Sequence, residues 1–184
     1  MRERVSFAEV ERAVAQAGFD CAGEVDAARL EVRDEVRDMC ASGKCHQYGH
    51  NWACPPACGD LDAFRQVIGG CSRGIVFQTV GELEDEFDGE AMMDAEALHK
   101  KRTEVLVDAL AEAGASDACL VLSAGTCTRC RPCAYPEPCR FPDRRLVSME
   151  AAGLLVTDAC NAAGIPYNHG KLTIAYTGCV LLRR

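Results

Sequence analysis

Residues 118–142 read ACLVLSAGTCTRCRPCAYPEPCRFP. The first six, ACLVLS, form a short apolar run of the kind that makes a buried strand, and the chain then passes directly into a loop with four cysteines. Scaffolds place their chemistry where one regular element hands over to the next. The rest of the chain is therefore read as the fold that carries this loop.

Working outward, the same alternation of apolar strand and helix recurs. Ser6 followed by Glu9 is a capping box, and Phe7, Val10, Val14 and Ala17 then repeat at helical spacing until Gly18. Residues 19–25 predict a short strand. Asp26 predicts the cap of a second helix with Leu30, Val36 and Met39 on its inner face, delivering the chain to Cys40. Glycine, proline and polar residues break every period between 40 and 60, which makes that segment a loop. Leu61, Phe64, Val67 and Ile68 predict a helix ended by Gly69 and Gly70, and GIVFQTV from Gly74 a buried strand. The acidic run 82–90 is a solvated loop or the start of a helix. The longest helix is expected over 89–114, with Met92, Ala95, Leu98, Leu106, Ala109 and Leu110 toward the core. Ser148 is expected to cap a helix carrying Leu154, Leu155 and Ala159, and LTIAYTGCVLL closes the chain as a last strand. No internal boundary interrupts this order. The expectation is one α/β domain over residues 1–184, a mixed sheet of about four short strands covered by helices, with two cysteine-rich metal loops.

Composition narrows what such a fold does. A formal charge of −8 repels nucleic acid and anionic lipid at long range. No apolar run reaches the roughly 18 residues needed to cross a bilayer, and MRERVSFAEV lacks the apolar core of a secretion signal. A cytoplasmic protein is expected, with no nucleic-acid or membrane partner. Thirteen cysteines then need another role than disulfides, because the cytosol keeps ordinary thiols reduced. Metal or redox chemistry supplies one. Cys71, Cys119, Cys160 and Cys179, and with less force Cys21, stand singly in or beside strands and helices and read as core residues.

In the loop 125–142, Cys127, Cys130, Cys133 and Cys139 read CxxCxxCxxxxxC. Gaps of two let successive thiolates curl around one small inorganic object, and three such cysteines with a fourth shortly after is an iron–sulfur pattern. Zinc sites usually present two separated CxxC pairs, which leaves zinc as the alternative. Arg129, Arg131, Arg140, Arg144 and Arg145 outnumber Glu137 and Asp143 here, a local cationic excess suited to an anionic cluster or to an anionic partner. The loop 40–58 carries Cys40, Cys45, Cys54 and Cys58 at spacings that match no single zinc or ferredoxin pattern. Four cysteines in so short a loop still point to a second metal site, with Cys58 either a fourth ligand or a bystander that leaves one metal position open. His46 and His50 are alternative ligands, though loop histidines are more often solvated. Trp52, the one tryptophan, packs over the loop or shields a cluster from water. No Gly-rich phosphate loop, HExxH or GxSxG is present.

The two loops together, CxxxxCxxYxxxWxCPP from Cys40 to Pro56, the later CxxCxxC, CRFP from Cys139 and SMEAAG from Ser148, resemble DUF2284, a prokaryotic family of predicted metal-binding proteins of unknown function. The resemblance implies metal or iron–sulfur binding by Cys40, Cys45, Cys54, Cys127, Cys130, Cys133 and Cys139; it implies no reaction, and Cys58 lies outside its pattern. The expected cofactor is a [4Fe–4S] cluster in the second loop, with a second cluster in the first loop and zinc as the alternative. The expected function is electron transfer, or an iron–sulfur oxidoreductase acting as a small reductase, with a redox protein or small molecule as partner. A zinc-stapled interaction module without turnover and a thiol-based redox sensor are the competing readings.

Overall fold

The computed structural model of the chain describes residues 5–184. Residues 1–4, part of the leading stretch read above for a secretion signal, lie outside them. Four strands, β1 (Cys21–Asp26), β2 (Cys71–Glu82), β3 (Cys119–Leu122) and β4 (Thr173–Arg183), form one sheet in the order β1-β2-β4-β3. Five α-helices accompany it: α1 (Phe7–Ala17), α2 (Asp34–Ala41), α3 (Leu61–Gly69), α4 (Gly89–Glu112) and α5 (Val156–Ala163). The α/β class and the four strands are as expected. The sheet is not mixed, however, because each of its three ladders is antiparallel.

The central strands β2 and β4 are buried on both faces, so each reads as a continuous apolar run rather than an alternating one. Ile75, Phe77 and Val180 pack with Val10, Val14, Leu106 and Leu110, so α1 and α4 cover one face. Val76, Cys179 and Leu181 pack with Ile68, Leu154, Ala159 and Cys160, which puts α3 and α5 on the other. Phe77 lies opposite Gly178 in the ladder, where a Cβ would fall 2.6 Å from the Phe77 ring. Only a glycine admits that ring, which stacks on Phe19 at 4.1 Å. Cys71, Cys119, Cys160 and Cys179 are buried as expected, and Cys21 is half-buried.

Three local expectations fail, each for a long-range reason. Asp26 does cap a helical turn, its Oδ1 accepting from Ala28 N at 2.9 Å, but the turn ends at Arg29 and α2 starts afresh at Asp34. Between them Val32 bridges to Leu154, and Arg33 N donates to Gly153 O at 2.8 Å. Pairing with a distant turn breaks the helix, and Met39 ends up 56% exposed. Ser148 likewise caps a turn, its Oγ accepting from Ala151 N at 3.1 Å, and α5 begins only at Val156. On α4 the buried stripe runs through Ala95, His99, Thr103, Leu106 and Leu110, leaving Leu98 exposed. His99 fits inside because Thr79 of β2 lies 3.2 Å from its Nδ1.

Candidate metal centre

The second cysteine loop is pinched at its base. Ser123, just past β3, donates from its N to Val147 O at 2.9 Å and accepts at its O from Met149 N at 3.0 Å. The chain from 124 to 146 therefore leaves and returns at one point. Cys127, Cys130, Cys133 and Cys139 are all half-buried within it and unpaired. Arg129 and Arg144 line one pocket with Cys127. Arg129 pairs with Glu104 at 3.0 Å and Arg144 with Asp108, both on α4, so two cations fasten the loop to that helix. Arg140 Nη1 donates to Pro132 O at 3.1 Å, holding the loop across itself, and Arg131 is exposed.

In the first loop, Cys40 stands in the last turn of α2, Cys45 is exposed, and Cys54 and Cys58 are buried. Tight turns order the second half: Cys54 N donates to Asn51 O and Cys58 N to Cys54 O, each at 3.0 Å. Cys40, Cys45 and Cys54 line one cavity of about 370 Å³, together with Lys44, Tyr48 and Glu150. Cys58 is not on its wall. The Cys58 thiol instead faces the carbonyls of Gly59 at 3.9 Å and Ala151 at 4.0 Å. His46 and His50 are exposed and do not line the cavity.

Three thiols of this loop, Cys40, Cys54 and Cys58, do not ionise easily by themselves. Burial pushes Cys54 up to about 12, and the charges that Cys45, Cys58, Cys40 and Cys133 would carry push the same way. Burial also raises Cys40, with Cys45 and Glu150 adding to it and Arg37 opposing. Cys58 is raised by burial too, against the pull of Arg37 and Arg145. Crowded buried thiols of this kind become thiolates when a metal cation compensates their charge, so the donor set fits a thiophilic metal.

The two loops are not separate sites. Asn51, 4% exposed, donates from Nδ2 to Cys127 O at 3.1 Å and accepts at Oδ1 from Ala53 N at 2.9 Å. Trp52 Nε1 donates to Glu137 O at 2.7 Å, and its ring meets Tyr135 edge-on at 5.2 Å. Trp52 thus joins one loop to the other rather than covering the first alone. A charge on Cys133 would be felt at Cys54 across the two loops. Among the described residues no three His, Cys, Asp or Glu side chains converge tightly enough to hold a single metal ion.

Three residues of this region carry no label in the sequence reading. Asn51 sits between the motif's tyrosine and its tryptophan, and Glu150 inside SMEAAG, so both were within reach of motif inspection. Arg37 lies one helical turn before Cys40. Its Nη1 donates to Gly59 O at 2.7 Å and its Nη2 to Ala151 O, which clamps the first loop to the turn that contains Glu150.

An antiparallel sheet between two helical layers, with two thiol-rich loops closed on one another at one end, defines a cysteine-centred α/β protein whose distinguishing chemistry is that composite site. The family model for predicted metal-binding proteins, DUF2284, matches residues 23–182, and the chain belongs to that family. The match takes in both loops. No curated protein and no solved structure matches the chain.

Proposed function

We propose that this chain is an iron–sulfur protein that moves single electrons, as a carrier or as a small reductase. In this reading Cys127, Cys130, Cys133 and Cys139 hold one [4Fe–4S] cluster, and the first loop holds a second through Cys40, Cys45 and Cys54. A cluster so bound supplies one reversible electron at a potential set by its surroundings. The protein's own residues do the rest. Asn51 fixes the first loop against the second, Arg129 and Arg144 tie the second loop to α4, and the Trp52 ring packs edge-on against Tyr135 across the two loops. One observation carries the reading: the two cysteine loops are bonded to one another, Asn51 to Cys127 O and Trp52 to Glu137 O. Adjacent centres suit electron passage. A pair of independent structural staples has no need to touch.

Zinc would ask for a tighter arrangement. With zinc–sulfur bonds of about 2.3 Å, four tetrahedral sulfurs lie only about 3.8 Å apart, whereas a cluster of several irons spreads its ligands over a larger object. The thiol-sensor reading asks for thiols of lowered pKa, and burial drives Cys40, Cys54 and Cys58 the other way. The deciding measurement is iron, zinc and acid-labile sulfide per chain after oxygen-free purification. Brown protein with iron and sulfide in equal amounts, bleached by dithionite, is the expected result. Colourless protein containing zinc alone overturns it.

A further inference from the structure

The geometry points to Glu150, and not Cys58, as the fourth and exchangeable ligand of the first-loop centre, an inference that rests on the metal reading above. Three thiols, Cys40, Cys45 and Cys54, share the wall of one cavity, and among the described residues the only carboxylate on that wall is Glu150. No side chain or backbone N–H among the described residues hydrogen-bonds or ion-pairs with this carboxylate, although the residue is half-buried. Its negative charge is felt at Cys40.

The turn that presents Glu150 is fixed independently of any ligand. Ala152 N donates to Ser148 O at 3.1 Å, Gly153 N to Glu150 O at 2.9 Å and Leu154 N to Met149 O at 2.9 Å. Gly153 has φ +82°, and a Cβ there would fall 2.8 Å from both Leu61 and Val32. Met149, Ala151 and Ala152 are buried on either side. Glu150 is the one side chain of the turn left over, and it stands on the cavity. Cys58 is off that wall: its thiol faces the Gly59 and Ala151 carbonyls, to which Arg37 also donates, although its charge would be felt at Cys40 and Cys54.

The chemistry of a three-thiolate, one-carboxylate set differs from that of four thiolates. Carboxylate oxygen is a harder and poorer partner than thiolate for iron–sulfur metal, so it is the ligand that leaves first. Its departure opens one metal position toward the cavity, whose walls also carry Lys44 and Tyr48. A small molecule with a donor atom of its own can take that position. The second loop carries four thiols of its own, Cys127, Cys130, Cys133 and Cys139, so its set is complete without a carboxylate.

The test uses the full chain, purified without oxygen, as wild type and as Glu150→Gln, Glu150→Asp, Cys58→Ser and Cys40→Ser. Iron, sulfide and the electron paramagnetic resonance spectrum of the reduced protein are read, with 2-mercaptoethanol added as the external ligand. Cys40→Ser should lose one centre, which identifies its signal. Cys58→Ser should keep wild-type metal content and spectrum. Glu150→Gln should change that one signal and bind the added thiol at least about tenfold more tightly, and Glu150→Asp should lie close to wild type. Loss of a centre in Cys58→Ser, or an unchanged signal in Glu150→Gln, overturns the inference. Metal-free unfolding of each variant separates a ligand effect from a folding defect. Wild-type protein with zinc and no iron defeats the iron–sulfur reading alone. The variants are then compared by chelator competition, where weakened metal binding in Glu150→Gln with none in Cys58→Ser supports Glu150 and the reverse overturns it. Unchanged metal content in Cys40→Ser overturns both.

Discussion

Asn51→Ala tests whether the two loops act as one site. The side chain is 4% exposed and makes two hydrogen bonds, to Cys127 O in the second loop and from Ala53 N within its own. Each such bond contributes about 0.5–1.5 kcal/mol net, and an unpartnered buried group left behind costs about 1–3 kcal/mol unless water reaches it. The bond to Cys127 O alone should therefore remove about 2 kcal/mol of docking energy, even with the Trp52 contact to Glu137 intact. That amount corresponds to a factor of about 30 in an equilibrium. The assay is metal release to a chelator, followed at both centres, alongside urea unfolding of the loaded protein. Asn51→Ala should speed release from both loops and lower the unfolding midpoint. Asn51→Asp keeps the acceptor for Ala53 N and loses the donor to Cys127 O, so it should reproduce the release defect with less loss of local order. Wild-type release rates in both variants would refute the idea that docking holds the metals.

Two further outcomes follow from burial. His99 is fully buried and, chiefly through burial, its pKa falls from 6.5 to about 3, with Lys100 and Arg102 adding their repulsion. Its folded pKa is depressed, so the unfolded chain takes the proton first; the stability is fully present above about pH 6.5 and is lost as pH falls toward 3. Between pH 6.5 and 5 the loss should be on the order of 2 kcal/mol, absent in His99→Gln, as read from urea unfolding at the two pH values; identical pH dependence in the two proteins would contradict this. In metal-free protein, exposed Cys45 should alkylate first, and Cys54 and the fully buried Cys179, both pushed up to about 12, should react last, as mass spectrometry of a timed reaction will show. Early labelling of Cys54 would mean that the first loop opens in solution.

What sequence reading captured was local. The capping box of α1 forms, with Glu9 accepting from Ser6 N at 2.7 Å, and α4 and β4 lie where their periodicity puts them. The two cysteine loops were visible because four thiols in a short irregular stretch have no packing explanation. What stayed hidden depends on partners far along the chain. Nothing near Val32 announces its pairing with Leu154, so the helix expected from Asp26 ran on through the break. The helix around His99 shows no partner for it, and Thr79, twenty residues earlier on β2, supplies one to its Nδ1. The docking of the loops hangs on Asn51, whose amide has no signature apart from its neighbours.

The turn from Ser148 to Gly153 explains why the two cysteine motifs and SMEAAG occur together. At one end it closes the base of the second loop, through Ser123 and Met149. At the other it receives Arg33 N at Gly153 O and Arg37 at Ala151 O, which sets the position of α2 and hence of Cys40. Between those ends it holds Glu150 on the cavity that Cys40, Cys45 and Cys54 line. Neither loop can shift without disturbing this turn, and the turn cannot shift without moving both. Its interior residues are correspondingly small or fully enclosed: Met149 and Ala152 are both 0% exposed. The composite site is therefore built on three segments rather than two, and the third contributes no cysteine. A search of the sequence for sulfur alone passes over the segment that brings the sulfur together.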